Sequence, residues 1–106
     1  MRNLTNLEYL LLFLLHSKPA SGYALRKQFA STPLGYYSDS PGSIYPALQR
    51  LLKEKLVKAE WGVSSTNRRV RIYTLTAAGA KHLEREVSSF ERMLEGITRV
   101  LAPGES

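Results

Sequence analysis

The sequence predicts a mainly α chain with a two-stranded β-hairpin, in the order helix, helix, helix, hairpin, long helix. Three observations lead there. Residues 40–53 open on Ser40-Pro41 and then place Ile44, Leu48, Leu51 and Leu52 at helical spacing. Residues 56–75 lose that period and become two runs rich in β-branched and aromatic residues around a polar tip. From Ala80 to Leu101 the apolar positions advance by alternating steps of three and four, a heptad seam.

The first helix is expected over Asn6–Ser17. Leu7, Leu10, Leu11, Leu14 and Leu15 form one stripe, and Tyr9, Leu12 and Phe13 fill the other side. A helix that is apolar all round must be covered all round. In a domain this small the second face meets either another subunit or a central core. Lys18-Pro19-Ala20-Ser21-Gly22 ends the helix, and Ser21 is placed to cap a second one over Gly22–Ala30. That helix turns Tyr23, Ala24, Leu25 and Phe29 inward and Arg26 and Lys27 outward. Thr32–Asp39 is a loop in which Tyr36-Tyr37 pin the chain to the body.

In the third helix Ser40 is the expected N-cap and Pro41 suits the first position. Its polar side offers Ser43, Tyr45, Gln49, Arg50 and Lys53, with no acid among them. Such a face suits plain solvation, or an anionic hydrogen-bonding surface such as a DNA major groove. Pro46 lacks a donor and crowds the carbonyl of Gly42. Either the helix bends there, or its regular part starts near Ser43 with Pro46 in the first turn.

Leu56–Trp61 and Arg69–Leu75 are the hairpin strands, joined by the polar stretch 62–68. Arg69, Arg71 and Tyr73 share one face of the second strand, and Val70, Ile72 and Thr74 the other. Three helices followed by a hairpin is the order of a winged helix-turn-helix, with the basic hairpin as its wing. Thr76 caps the last helix, over most of Ala77–Leu101. Its seam of Ala80, Leu83, Val87, Phe90, Leu94, Ile97 and Leu101 suits a dimer more readily than packing within one chain, because the helix outruns the body. The expected organisation is thus a winged domain over 1–75, a dimerisation helix over 76–101 and a tail over 102–106.

Composition narrows the function. At 106 residues the chain makes one domain. It has no cysteine, which excludes disulfides and thiolate metal sites. The apolar run Tyr9–Leu15 is far below the roughly 20 residues of a membrane span, so a cytoplasmic location without membrane association is expected. The net charge is +6, and the excess lies in the middle of the chain. Residues 18–71 hold ten Lys or Arg against Asp39, Glu54 and Glu60, whereas residues 76–106 are slightly acidic. That asymmetry points to a localised polyanion-binding surface. His16, at a helix end, and His82, on a surface, lie on different helices without a patterned acid or nucleophile. No metal spacing, phosphate-binding glycine loop or carboxylate pair occurs. An enzyme, a metal site and a cofactor are therefore not expected.

With this order in place the chain resembles the PadR family of transcriptional regulators. The matching stretches are Ser21-Gly22-Tyr23, then residues 40–51 (Ser-Pro-Gly-Ser-Ile-Tyr-Pro-Ala-Leu-Gln-Arg-Leu), then residues 71–79 (Arg-Ile-Tyr-Thr-Leu-Thr-Ala-Ala-Gly). With their spacing they cover residues 4 to about 90. The length resembles the short subgroup with a single C-terminal helix. One departure is Lys55, where family members usually carry a glycine; a left-handed lysine there would be strained by about 1 kcal/mol.

The resemblance implies a homodimer on a pseudo-palindromic operator, usually a repressor. The expected DNA contacts are Ser40, Ser43, Tyr45, Gln49 and Arg50 at or near bases, with Lys53 on the backbone. Arg26 and Lys27 are expected on phosphates, and Arg68, Arg69 and Arg71 along the wing. Arg50 to guanine and Gln49 to adenine are the pairings geometry allows. The expected dimer interface is Leu7, Leu10, Leu14, Leu83, Val87, Phe90, Leu94 and Ile97. Relatives often respond to small aromatic or cationic effectors; here Tyr9, Phe13, Phe90 and Met93 either line such a pocket or are plain core. A protein–protein adaptor that uses the winged fold without DNA is the alternative.

Overall fold

The computed structural model describes residues 3–31 and 43–101. Its elements run α1 (Asn6–Ser17), β1 (Ala20–Ser21), α2 (Gly22–Ala30), α3 (Ile44–Lys53), β2 (Val57–Val63), β3 (Arg69–Leu75) and α4 (Ala77–Leu101). The order of four helices and a hairpin is the one the sequence predicts, but β2 takes in Gly62 and Val63, which were expected in the hairpin tip. The two-stranded wing needs one correction. β1 joins the hairpin to make a three-stranded antiparallel sheet, ordered β1-β3-β2. Ala20 pairs with Tyr73 and Ser21 with Ile72, a contact that no local pattern around Pro19 announces.

Capping explains the helix starts. Thr5 and Glu8 form a reciprocal capping box on α1: Glu8 N–H donates to Thr5 Oγ1 at 3.2 Å, and Thr5 N–H to Glu8 Oε1 at 2.8 Å. Ser21 Oγ accepts from Ala24 N–H at 3.1 Å and opens α2. The expected Ser40 cap and Pro41, like the loop at 32–39 and the tail, lie outside the described residues. Among the described residues α3 starts at Ile44 behind Ser43, which supplies no side-chain cap. Pro46 thus sits in the first turn, where its missing donor has no intrahelical partner to lose.

Lys55 is left-handed, with φ 61°. Leu56 N–H donates to Leu51 O and Lys55 N–H to Leu52 O, both at 3.0 Å, which is the Schellman closure glycine usually serves. The strain is held from outside. Thr76 Oγ1 donates to Lys55 O at 2.8 Å, and Thr76 N–H donates to Leu56 O at 3.1 Å. The same Thr76 hydroxyl accepts from Gly79 N–H at 3.0 Å and caps α4. A Cβ on Gly79 would overlap the Leu56 carbonyl oxygen and lie 2.7 Å from Leu75 Cδ1. The end of α3 and the start of α4 therefore form one tight joint.

The core lies where α1, α2, α3 and the sheet meet. Leu11, Leu12, Leu25, Ala47, Leu48 and Leu51 are fully buried, with Phe29, Ile44, Val57 and Tyr73 nearly so. Leu12, which the stripe reading put on the far side of α1, belongs to this core, while Leu10 and Leu14 are only half-buried. α4 touches the body through Gly79, Leu83 and Val87 and then leaves it: every residue from Ser88 to Leu101 is exposed. The radius of gyration is 16.6 Å, against about 13 Å for a compact chain of this length.

Candidate nucleic-acid interface

α2, the start of α3 and the hairpin enclose a cleft of about 460 Å³. Tyr23 and Arg26 reach it from α2, Ile44 and Tyr45 from α3, and Trp61, Arg69, Arg71 and Tyr73 from the sheet. Of the cations expected at DNA, the fold brings Arg26, Arg69 and Arg71 together here. Lys27 lies beside them, its ammonium 5.7 Å from the Tyr23 ring centre. Lys53 and Arg68 are exposed, on the last turn of α3 and beside the hairpin tip. Ser43 is half-buried at the start of α3, and Ser40 is outside the described residues.

The polar face of α3 is tied to the body from below. Gln49 Nε2 donates to the buried Tyr73 hydroxyl at 3.4 Å, and Tyr45 neighbours the same phenol. Burial, foremost, and the neighbouring Tyr45 hold the Tyr73 phenol above its ordinary pKa, so it stays a neutral donor and acceptor. Arg50 Nε donates to Glu8 Oε2 at 3.4 Å. Glu8 is fully buried on α1 and Arg50 is about half exposed, so the carboxylate steadies the stem side of the guanidinium.

The wing arginines are held differently. Trp61 pairs with Arg71 across β2 and β3. The guanidinium carbon of Arg69 lies 4.4 Å from the Trp61 ring centre, and that of Arg71 lies 5.4 Å away. The Nε of Arg71 is buried without a hydrogen-bond partner among the described residues. At the tip, Ser64 Oγ accepts from Arg68 N–H at 3.1 Å, and Asn67 takes a left-handed φ of 62°.

A second surface is largely apolar. Between α1 and α4 runs a groove of about 550 Å³ lined by Asn6, Tyr9, Leu10, Phe13, Leu83, Glu86, Val87 and Phe90. It gathers three of the four expected effector-pocket residues; Met93 is exposed beyond it. Of the expected interface positions, Leu7 and Leu83 are spent in the chain's own core, Leu10, Leu14 and Val87 are half-buried, and Phe90, Leu94 and Ile97 are exposed. His82, expected on the surface, is half-buried, its ring 5.9 Å from that of Tyr9. Burial first, then the Glu86 charge, raise the Tyr9 phenol above its ordinary pKa.

Sequence reasoning missed Glu8 and Trp61. Thr5-x-x-Glu8 ahead of an apolar run is a capping-box signature, and it was the available signal for Glu8. Counting back from the hairpin tip sets Trp61 opposite Arg71, which was the signal for the stack.

The model of the PadR-like family of transcriptional regulators matches residues 11–85. The chain belongs to that family. A PadR-like transcriptional regulator from Bacillus cereus is 28% identical, with a TM-score of 0.76 over 92% of this chain and 93% of its own. A PadR-family regulator from Eggerthella lenta is 26% identical, with a TM-score of 0.70 over 92% of this chain and 83% of its own. Bacillus subtilis PadR, solved in complex with operator DNA, is 28% identical with a TM-score of 0.68; the match covers 77% of this chain but 46% of that one. No curated protein matches the chain. PadR-like proteins are transcription regulators, and among the described residues no group of acids and histidines could hold a metal ion and no helix could cross a membrane.

Proposed function

We propose that this PadR-like chain is a sequence-specific DNA-binding repressor that works in the cytoplasm as a homodimer on a pseudo-palindromic operator. The observation that carries the reading is the gathering of Arg26, Tyr45, Arg69 and Arg71 around one cleft beside the exposed face of α3. Its support is the similar Bacillus subtilis protein solved with operator DNA. Tyr45, Gln49 and the free edge of Arg50 read bases in the major groove, with Ser43 at the helix start and Ser40 proposed as a further DNA contact. Arg26, Lys27 and Lys53 hold phosphates, which sets register without reading sequence. Arg68, Arg69 and Arg71 follow the wing.

Two copies join through α1 and the projecting half of α4. The exposed Phe90, Leu94 and Ile97 need a cover that one chain does not supply. The groove at Tyr9, Phe13 and Phe90 would take a small aromatic effector, and Glu86 beside Tyr9 suits a cationic one. Occupancy there would shift α4 and with it the spacing of the two reading helices.

Selection from random duplex DNA tests this directly. A two-fold half-site should be enriched, and affinity for it should fall by roughly 10³-fold between 50 and 200 mM salt as counterions are displaced. Failure to enrich any sequence overturns the DNA reading and leaves the adaptor function in its place.

A further inference from the structure

We propose that Trp61 is a positioning residue of the wing: it presents Arg69 and Arg71 as one stacked cationic unit that enters the minor groove and makes the protein prefer A·T-rich sequence beside each half-site. The inference rests on the DNA-binding reading above and deepens it.

The contrast with Arg50 carries the argument. A carboxylate steadies Arg50 and offsets part of its charge. No acid makes an ion pair with Arg69 or Arg71 among the described residues; Glu60, the nearest acid along β2, instead lies 3.6 Å from Lys58. What holds both guanidinium groups is the indole face, at 4.4 and 5.4 Å. An aromatic ring orders a guanidinium without cancelling its charge. Two like charges brought to one ring repel each other, so this arrangement gains most when an outside anion sits between or beyond them. Trp61 itself is 58% exposed, too open for the stack to be a device for filling the core.

The hairpin suits insertion. Its tip is closed by Ser64, which takes Arg68 N–H on its hydroxyl and shares a hydrogen bond with Thr66 at 3.0 Å. A long arginine normally loses rotamer freedom on docking. Stacking removes that freedom before DNA arrives, so more of the contact energy appears as affinity. Narrow A·T-rich minor grooves carry the most negative potential and attract inserted arginines. A preordered pair of guanidinium groups should therefore discriminate flanking sequence that the major-groove helix never touches.

The test uses the full chain and the half-site recovered by selection, placed in duplexes with A·T-rich or G·C-rich flanks. Wild type should bind the A·T-flanked duplex about fivefold more tightly, and Trp61→Ala should abolish that ratio. Trp61→Phe should keep most of it, because a smaller aromatic face remains. Arg69→Lys with Arg71→Lys, which keeps the charge and loses the planar stack, should lose the ratio as the alanine variant does. The salt slope should stay the same in the Trp61 variants, because no cation has been removed. A Trp61→Ala protein with an unchanged melting temperature and an unchanged flank ratio overturns the inference while leaving the DNA reading intact. A wild type that enriches no half-site overturns both.

Discussion

The reading face and the α1–α4 groove are built from the same stock of leucines and differ in what they leave outside. On the reading face Ile44, Leu48 and Leu51 are spent inward and the outward positions are amide, phenol and cation. Water solvates such groups well, so this face is stable with or without a ligand. On the other side Phe13, Phe90, Met93, Leu94, Ile97, Val100 and Leu101 remain exposed. Apolar surface left in water costs about 25 cal/mol per Å², and contiguous patches on soluble chains mark contact sites. One face can wait for its partner and the other gains from a lasting cover, so under the proposed function two copies would associate first and dock on DNA afterwards. The joint of Lys55, Leu56, Thr76 and Gly79 fastens the end of α3 to the start of α4, so a change there is expected to reach both.

Breaking that joint should have the largest effect. Gly79→Ala drives a Cβ into the Leu56 carbonyl and should destabilise the fold by about 3 kcal/mol, lowering the thermal midpoint and weakening self-association and DNA binding together. A melting curve within a degree of wild type would show that the joint gives way freely. Next comes the apolar side alone. Leu83 is only 6% exposed and would unfold the domain if charged, so the substitutions belong at Phe90→Glu and Leu94→Glu. These should produce monomers in sedimentation, with the domain still folded, and reduce operator affinity about 100-fold, or roughly 2.7 kcal/mol. Monomers that hold the operator as tightly as wild type would separate the two faces and refute their coupling. Smallest is Lys55→Gly, which relieves a left-handed lysine and should add about 1 kcal/mol in denaturant unfolding, with DNA affinity untouched. A loss of stability would mean that the Lys55 side chain contributes more than its backbone strain removes.

Much of the fold was legible along the chain. The Ser21 and Thr76 caps and the heptad steps bounded α2 and α4, because helix ends and stripes depend on residues within a few positions. β1 was not legible: two residues cannot show a period, and Ala20-Ser21 is a strand only because Tyr73 and Ile72 lie beside it. The candidate site divides the same way. Arg26, Tyr45, Arg69 and Arg71 could be nominated from charge and spacing. That Arg50 would meet a buried Glu8, and that Trp61 would hold two arginines, needed partners supplied by other elements.

Element order, helix bounds, the basic centre and the surplus of apolar positions on α1 and α4 all follow from local chemistry in the 106 residues. Contacts between distant residues settled the rest: which leucines of α1 and α4 enter the chain's own core, which arginine meets a carboxylate and which pair meets an indole ring. The Glu8–Arg50 contact spans 42 positions, and no rule reaching only a few residues could foresee it. Side-chain burial and charge pairing depend on what packs opposite, and only the folded chain brings that neighbour into place.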